Sequence, residues 1–179
     1  MPDLRRPLTA GETAMVRSVF QGAIDTTRVR VVRGSFLPFN LQDQNTAMTP
    51  RGSLYFMPAQ YRDDFSREEA GGKLFFIHEM AHVWQWQLGY NCIWHGLLLA
   101  LFGGYFRQRA YRYDSAIPGT TLAGYNMEQQ AELVSHYFGA TQLGLASMTA
   151  RLPFLRQVLA GFLQSPGNAD LLPRRWFTR

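Results

Sequence analysis

The alternation of hydrophobic and polar positions divides the N-terminal third of the chain into one helix and two short strands. Within residues 9–23, apolar side chains recur at helical spacing behind a Thr9–Glu12 capping-box pair, which predicts an amphipathic helix. Residues 27–32 alternate Val with Arg, and residues 53–57 (SLYFM) are mostly apolar, so both segments are predicted to be strands. The Pro-, Gly- and Asn-containing segment between them is typical of a long loop.

A buried helix is predicted next, over residues 73–88. Its apolar side chains lie on nearly all sides, which is typical of a helix enclosed by the rest of the protein. Gly89 stands where a helix commonly ends. A second capping-box spacing, from Ser66 to Glu69, indicates that this helix begins near residue 66.

The remaining chain is also predicted to be mainly helical. Residues 92–106 form an apolar run, residues 125–143 show a clear helical pattern, and Pro153 interrupts a last helical region over residues 145–163. We therefore expect an α+β fold, mostly helical, with a short β-sheet packed beside the 73–88 helix.

Size and composition indicate a single globular domain over residues 1–179, with a basic tail at residues 165–179. The chain has 179 residues, 46% of them hydrophobic and 17% charged, which is enough for a sizeable core. The net charge of +5 comes from dispersed arginines rather than a basic stripe, so nucleic-acid binding is not expected. Cys92 is the single cysteine, which excludes a disulfide framework and a cysteine-based zinc site.

Two features bear on membranes and export. The apolar run 92–106 is shorter than the ~20 residues that span a bilayer, so a buried helix is favoured, although membrane-surface contact through this run stays an alternative. The N-terminal segment MPDLRRPLTAGETAMV lacks the apolar core of a signal peptide. We expect synthesis in the cytoplasm, and any export to use a route that needs no cleaved signal.

The segment His78-Glu79-Met80-Ala81-His82 carries the candidate chemistry. Residues four apart lie on the same face of a helix, so His78 and His82 can bind one zinc ion. Glu79 lies about 100° round the helix, where it can act as general base on a water molecule. Because the helix is predicted to be buried, these polar side chains need partners, and a metal with its water supplies them.

A catalytic zinc site usually has three protein ligands and one open position. Metzincins place a third His six residues after the second, but Leu88 stands there, which excludes that class. The favoured third ligand is Glu128, and Glu132, one turn further on, can accept the free ring N–H of a zinc-bound His. The other candidates for the third ligand are Glu132 itself, His136, His95 and Asp114.

The HEMAH segment followed by EQQAE at residues 128–132 resembles the gluzincin pattern of thermolysin-like peptidases. The short chain also resembles the minigluzincins, and HEMAHVWQWQ with the later EQQAE is similar to small bacterial metallopeptidase domains associated with Vgr/Rhs secreted toxins. The resemblance covers mainly residues 73–88 and 125–138. It departs from the family pattern at Glu132, where Asp is the commoner residue.

This resemblance implies a zincin-like fold, a zinc metalloendopeptidase acting on a peptide or protein substrate, and a role as a secreted toxin. One Zn²⁺ would be bound by His78, His82 and Glu128, with Glu79 as general base. The alternatives are a zinc-binding protein without hydrolytic activity and a structural protein in which the HEMAH helix is only core. Candidates for a side chain that stabilises the oxyanion are Tyr111, Arg112, Tyr113 and Tyr125.

Overall fold

The computed structural model describes residues 4–37, 42, 47–92, 113 and 120–174, and these form a mixed α and β structure. The strands are β1 (Leu4–Arg6), β2 (Val31–Arg33), β3 (Ala47–Met48) and β4 (Leu54–Phe56). The helices are α1 (Ala10–Phe20), α2 (Ala70–Gln87), α3 (Met127–Thr141), α4 (Ala146–Thr149), α5 (Leu152–Val158) and α6 (Ala160–Gln164). The expected α+β fold, mostly helical with a short sheet, is confirmed.

Helix α1 begins at the predicted capping box. The Glu12 amide donates to Thr9 Oγ1 at 3.1 Å, and the Thr9 amide donates to Glu12 Oε2 at 2.9 Å. The buried Glu12 carboxylate also accepts two hydrogen bonds of 2.8 Å from the Arg6 guanidinium. Since Arg6 ends β1, this bidentate pair ties the first strand to the first helix.

The described strands form a four-stranded sheet in the order β1-β2-β4-β3. β2 and β4 are parallel, and the other two pairs are antiparallel. The strand predicted at residues 53–57 is confirmed as β4. It is an internal strand, because β3 pairs along its other side and forms that edge of the described sheet.

The strand predicted over residues 27–32 is wrong in position. Thr26–Arg28 forms a 3₁₀ turn, because the Asp25 carboxylate accepts the Thr27 amide at 3.1 Å and caps it. β2 starts only at Val31, and Val31 and Val32 are both buried, so the expected alternation is absent there.

Helix α2 begins at Ala70, which is earlier than the predicted range of 73–88 but later than the start near residue 66 that the capping-box spacing indicated. The Ser66–Glu69 capping box is wrong: the Asp64 side chain accepts the Ser66 amide at 2.9 Å and caps a separate 3₁₀ turn. The predicted end is confirmed. Gly89 adopts φ +101°, and its amide donates to the Trp86 carbonyl at 2.9 Å.

Helix α2 runs through the core, as its apolar pattern indicates. Every residue from Phe76 to Gln85 is buried. One aromatic group joins α1, α2 and α6 through edge-on contacts of Phe20 and Trp84 with Phe162. A second stacks Phe65 on the Phe76 ring, with centroids 5.3 Å apart. These contacts hold the central helix in place along its length.

In the C-terminal half, the helix predicted over residues 125–143 is confirmed as α3, and the region 145–163 contains more than one helix. Asn126 and Gln129 form a capping box at the start of α3. The 145–163 region consists of α4, α5 and α6, with Pro153 in the first turn of α5. Within the described part of the chain, no helix combines the length and apolar character needed to cross a membrane. The predicted helix at 92–106 lies outside the described residues apart from Cys92.

Candidate metal centre

Helices α2 and α3 pack together and bring three potential ligands to one point. Nε2 of His78 and Nε2 of His82 each lie 3.2 Å from Oε2 of Glu128. The three ligand atoms lie within 4.8 Å of one another. All three residues are at most 8% exposed. The favoured third residue, Glu128, is thus the one that meets both imidazoles.

The electrostatics of this cluster are those of a buried anion between two imidazoles. Burial acts to raise the pKa of the Glu128 carboxyl, but the His82 charge and hydrogen bonds from both histidines outweigh it and hold that pKa well below its usual range. Burial acts to lower the pKa of His82, and Glu128, with smaller contributions from Cys92 and Glu79, raises it well above its usual range. The carboxylate is therefore ionised and available as a ligand.

The donor set and its spacing fit a zinc ion. Zinc commonly takes two His nitrogens and one carboxylate oxygen at about 2.0–2.2 Å, which places neighbouring ligand atoms of a tetrahedron about 3.3 Å apart. The two measured nitrogen-to-oxygen separations of 3.2 Å match that edge. His78, His82 and Glu128 could therefore hold a metal ion between helices α2 and α3.

Glu79 is held by a residue that the sequence analysis did not identify. The Thr49 hydroxyl donates to Oε2 of Glu79 at 2.5 Å, and both side chains are buried. Thr49 directly follows β3 and precedes a tight turn in which Arg51 and Gly52 adopt φ values of +50° and +75°. No sequence pattern predicts that Thr49 contacts Glu79, which lies thirty residues further along the chain.

The turn after Thr49 lies close to helix α2. A Cβ atom added to Gly52 would stand 3.0 Å from Cδ1 of Trp86, which is tighter than ordinary carbon contacts. Glycine at this position thus allows both the positive φ and the close approach. The approach places Thr49 against Glu79.

His82 has a hydrogen-bond partner on its own helix. Oε1 of Gln85 lies 2.9 Å from Nδ1 of His82, on the side of the ring away from Glu128. Gln85 is fully buried. The sequence analysis did not identify this contact, although the spacing of three residues between His82 and Gln85 on a helix could have indicated it.

Glu132 lies between His78 and His136. Its Oε1 is 3.7 Å from Nδ1 of His78, and its Oε2 is 3.2 Å from Nε2 of His136. Burial lowers the pKa of His136; Glu132 opposes this and Arg151 adds to it, and the net shift is downward. A neutral His136 donates through Nε2 to Glu132 and accepts a hydrogen bond from the Tyr113 hydroxyl at Nδ1.

The other candidates from the sequence divide into those the structure describes and those it does not. Glu132 and His136 lie outside the three-atom ligand cluster found among the described residues. The Tyr113 hydroxyl is hydrogen-bonded to His136, and the Tyr125 hydroxyl is buried with no hydrogen-bond partner among the described residues. The candidates that lie outside the described residues are His95, Asp114, Tyr111 and Arg112.

Fold and site define a small α+β domain with a candidate metal centre between its two central helices. The chain is similar to the solved effector domain of Pseudomonas aeruginosa VgrG2b, with a TM-score of 0.70 and 32% identity over 86% of this chain and 83% of that one. The chain belongs to the family of that effector domain. No protein-family model matches it.

A curated relative places this similarity within a longer protein. The chain is 36% identical over 157 residues to the type VI secretion system spike protein VgrG2b of Pseudomonas aeruginosa. The match covers 82% of this chain and 14% of the spike protein. The predicted link to Vgr-type toxin domains is thereby confirmed at the level of the effector domain.

Proposed function

We propose that this protein is a zinc-dependent metallopeptidase. The observation that carries the proposal is the meeting of His78, His82 and Glu128 at zinc-ligand spacing, with Glu79 buried on the same helix. A metal site that serves only structure needs no general base beside it. The HEMAH segment supplies that base one residue after the first ligand.

In this proposal, His78, His82 and Glu128 would hold a zinc ion, which would supply a Lewis acid for the scissile carbonyl and lower the pKa of water towards neutral. Glu79 takes a proton from the attacking water and passes it to the leaving amine. Thr49 occupies one carboxylate oxygen of Glu79, which leaves the other oxygen to face the water.

The sheet edge beside Glu79 suits an extended peptide. β3 is an edge strand among the described residues, and Thr49 follows it at once. A peptide that pairs with β3 would lie with its backbone close to Glu79. β4 offers no such edge, because it is paired with β2 on one side and with β3 on the other.

We further propose that the protein acts as an effector delivered by a type VI secretion system. This rests on its membership in the VgrG2b effector-domain family, since that relative is a spike protein of such a system. Delivery on such a spike would need no cleaved signal peptide. The protein substrate would then be found in the cell that receives the effector.

A zinc-binding protein without hydrolytic activity is the alternative that the site must be tested against. It would keep the three ligands and would have no use for a buried glutamate held by a hydroxyl group. The experiment incubates the purified protein with a panel of unfolded proteins, with chelator, and with chelator followed by zinc. We expect cleavage that chelation abolishes and zinc restores. Zinc binding with no cleavage of any substrate would contradict the proposal.

A further inference from the structure

A chain of buried amides connects His82 to the protein backbone. Gln85 Oε1 faces Nδ1 of His82 at 2.9 Å. On its other side, Gln85 Nε2 donates to the Met127 carbonyl at 3.0 Å and to Gln130 Oε1 at 3.1 Å. Gln85 and Gln130 are both fully buried. The chain thus runs from α2 into α3 without contact with solvent.

The far end of this chain fixes its direction. Gln130 Nε2 lies 2.8 Å from the Leu122 carbonyl and 2.9 Å from the Leu171 carbonyl. Carbonyl oxygens only accept hydrogen bonds, so the NH₂ group of Gln130 must face them and its oxygen must face Gln85. Turning Gln130 over would place its oxygen against both carbonyls and leave buried polar groups unsatisfied.

The same reasoning carries on to the histidine. Gln85 must present its NH₂ group to the Met127 carbonyl and to Gln130 Oε1, which leaves its oxygen facing His82. An amide oxygen only accepts, so Nδ1 of His82 must carry a proton. When a metal displaces the proton on Nε2, the proton that stays on the neutral ring is the one on Nδ1, and the Nε2 lone pair on the Glu128 side of the ring is available to the metal.

We propose that Gln85, supported by Gln130, is a positioning residue that keeps the proton of His82 on Nδ1 and so reserves Nε2 for the metal. This inference rests on the proposed zinc site and names what orients one of its ligands. Partners of this kind fix the tautomer and ring orientation of a metal-binding His. The backbone carbonyls of Leu122, Met127 and Leu171 set this arrangement, since each of them can only accept.

The first test identifies the protonated nitrogen of His82 directly. Long-range ¹H–¹⁵N correlation spectra of the zinc-loaded protein, with ¹⁵N-labelled histidine, distinguish the two ring nitrogens. We expect His82 to carry its proton on Nδ1, with slow exchange against solvent. A proton on Nε2, or an Nδ1 proton that exchanges as fast as one on an exposed histidine, would overturn the inference.

The second test measures zinc affinity by competition with a chromophoric chelator. Gln85→Leu is expected to raise the Kd for zinc about 10–100-fold, as loss of such a partner typically does. Gln130→Leu should raise it less, because Met127 still holds the Gln85 amide. The matched control is Gln87→Leu on the same helix, whose amide binds the backbone of Asp25 instead and whose loss should leave the Kd unchanged.

The outcomes separate this inference from the proposed function. If the Gln85→Leu protein binds zinc as tightly as the Gln87→Leu protein, the positioning role of Gln85 is overturned. If Gln85→Leu does not fold, the histidine spectra of the wild-type protein test the inference instead. If Gln130→Leu matches the control, the role assigned to Gln130 is wrong. The two claims can also fail separately. If Gln85→Leu weakens zinc binding but the wild-type protein cleaves no peptide, the inference is supported and the proposed peptidase activity is contradicted.

Discussion

The Thr49 hydroxyl donates a hydrogen bond to Oε2 of Glu79, although thirty residues separate them along the chain. In the proposed mechanism this contact fixes the carboxylate that takes the proton. Thr49→Val keeps the shape of the side chain and removes the donor. We expect kcat for peptide hydrolysis to fall about tenfold, since a lost buried hydrogen bond costs about 1–3 kcal/mol. Zinc content should stay at the wild-type level.

Thr49→Ser is the matched control for this prediction, because it restores the hydroxyl without the methyl group. Its kcat should lie much closer to the wild-type value than that of Thr49→Val. A Thr49→Val protein that hydrolyses peptides as fast as the wild type would show that the contact has no part in catalysis.

Glu128 and Glu132 should differ sharply in their effect on zinc binding. Glu128 contacts both imidazoles, whereas Glu132 lies 3.7 Å from the far nitrogen of His78. Loss of a residue that hydrogen-bonds a metal ligand typically weakens metal binding about 10–100-fold, so Glu132→Gln should raise the Kd for zinc by that factor or less. Glu128→Gln should exceed it. Equal zinc affinities of the two variants, measured by competition titration, would contradict the assignment of Glu128 as ligand.

Removal of zinc should lower thermal stability. A ligand at 100 times its Kd stabilises the folded state by about 2.7 kcal/mol, which for a chain of this size corresponds to roughly 5–10 °C in Tm. We expect the Tm to fall by that amount on adding a strong chelator and to recover with zinc. His82→Ala should show no such response. An unchanged wild-type Tm would favour a HEMAH helix that is only core.

Asp64 gives a prediction about pH. Burial acts to raise the pKa of its carboxyl, but hydrogen bonds from Ser66 and Thr9 outweigh this and lower it. A lowered folded-state pKa contributes stability above the unfolded value of about 3.9, and this contribution is lost as the pH falls through the folded value. Asp64→Asn should therefore be less stable than wild type at pH 7, by roughly 1 kcal/mol.

Urea unfolding of both proteins at pH 7 and at pH 3 checks this prediction. The difference in unfolding free energy should shrink at pH 3, because this pH lies below the unfolded pKa of about 3.9 and protonation of the unfolded carboxyl removes part of the contribution. A difference that is the same at both values would show that the charge of Asp64 does not stabilise the fold.

The parts of the structure that follow from local chemistry could be predicted from the sequence. The Thr9–Glu12 capping box and the glycine at residue 89 gave the start of α1 and the end of α2, because each depends on neighbouring backbone groups. The approach of Glu128 to the two histidines was predicted as well. Two helices with buried polar faces satisfy those faces most readily against each other.

The parts that depend on distant segments could not be predicted. Thr49 reaches Glu79 only because a turn with positive φ at Arg51 and Gly52 lies against Trp86. The edge position of β3 depends on pairing across the sheet, and a segment of two residues gives no periodic signal. The Ser66–Glu69 pair does not form a helix cap, because the Ser66 amide donates its hydrogen bond to the Asp64 carboxylate.

The most direct test of the proposed peptidase compares zinc content and hydrolysis in the wild type and in Glu79→Gln. Protein purified without added metal is analysed for zinc, and the same samples are assayed on an unfolded protein substrate. We predict about one zinc per chain in both, with hydrolysis reduced by about 10²–10⁴-fold in Glu79→Gln, because a general base contributes that much. A Glu79→Gln protein that keeps full activity, or a wild type that binds no zinc, would contradict the account.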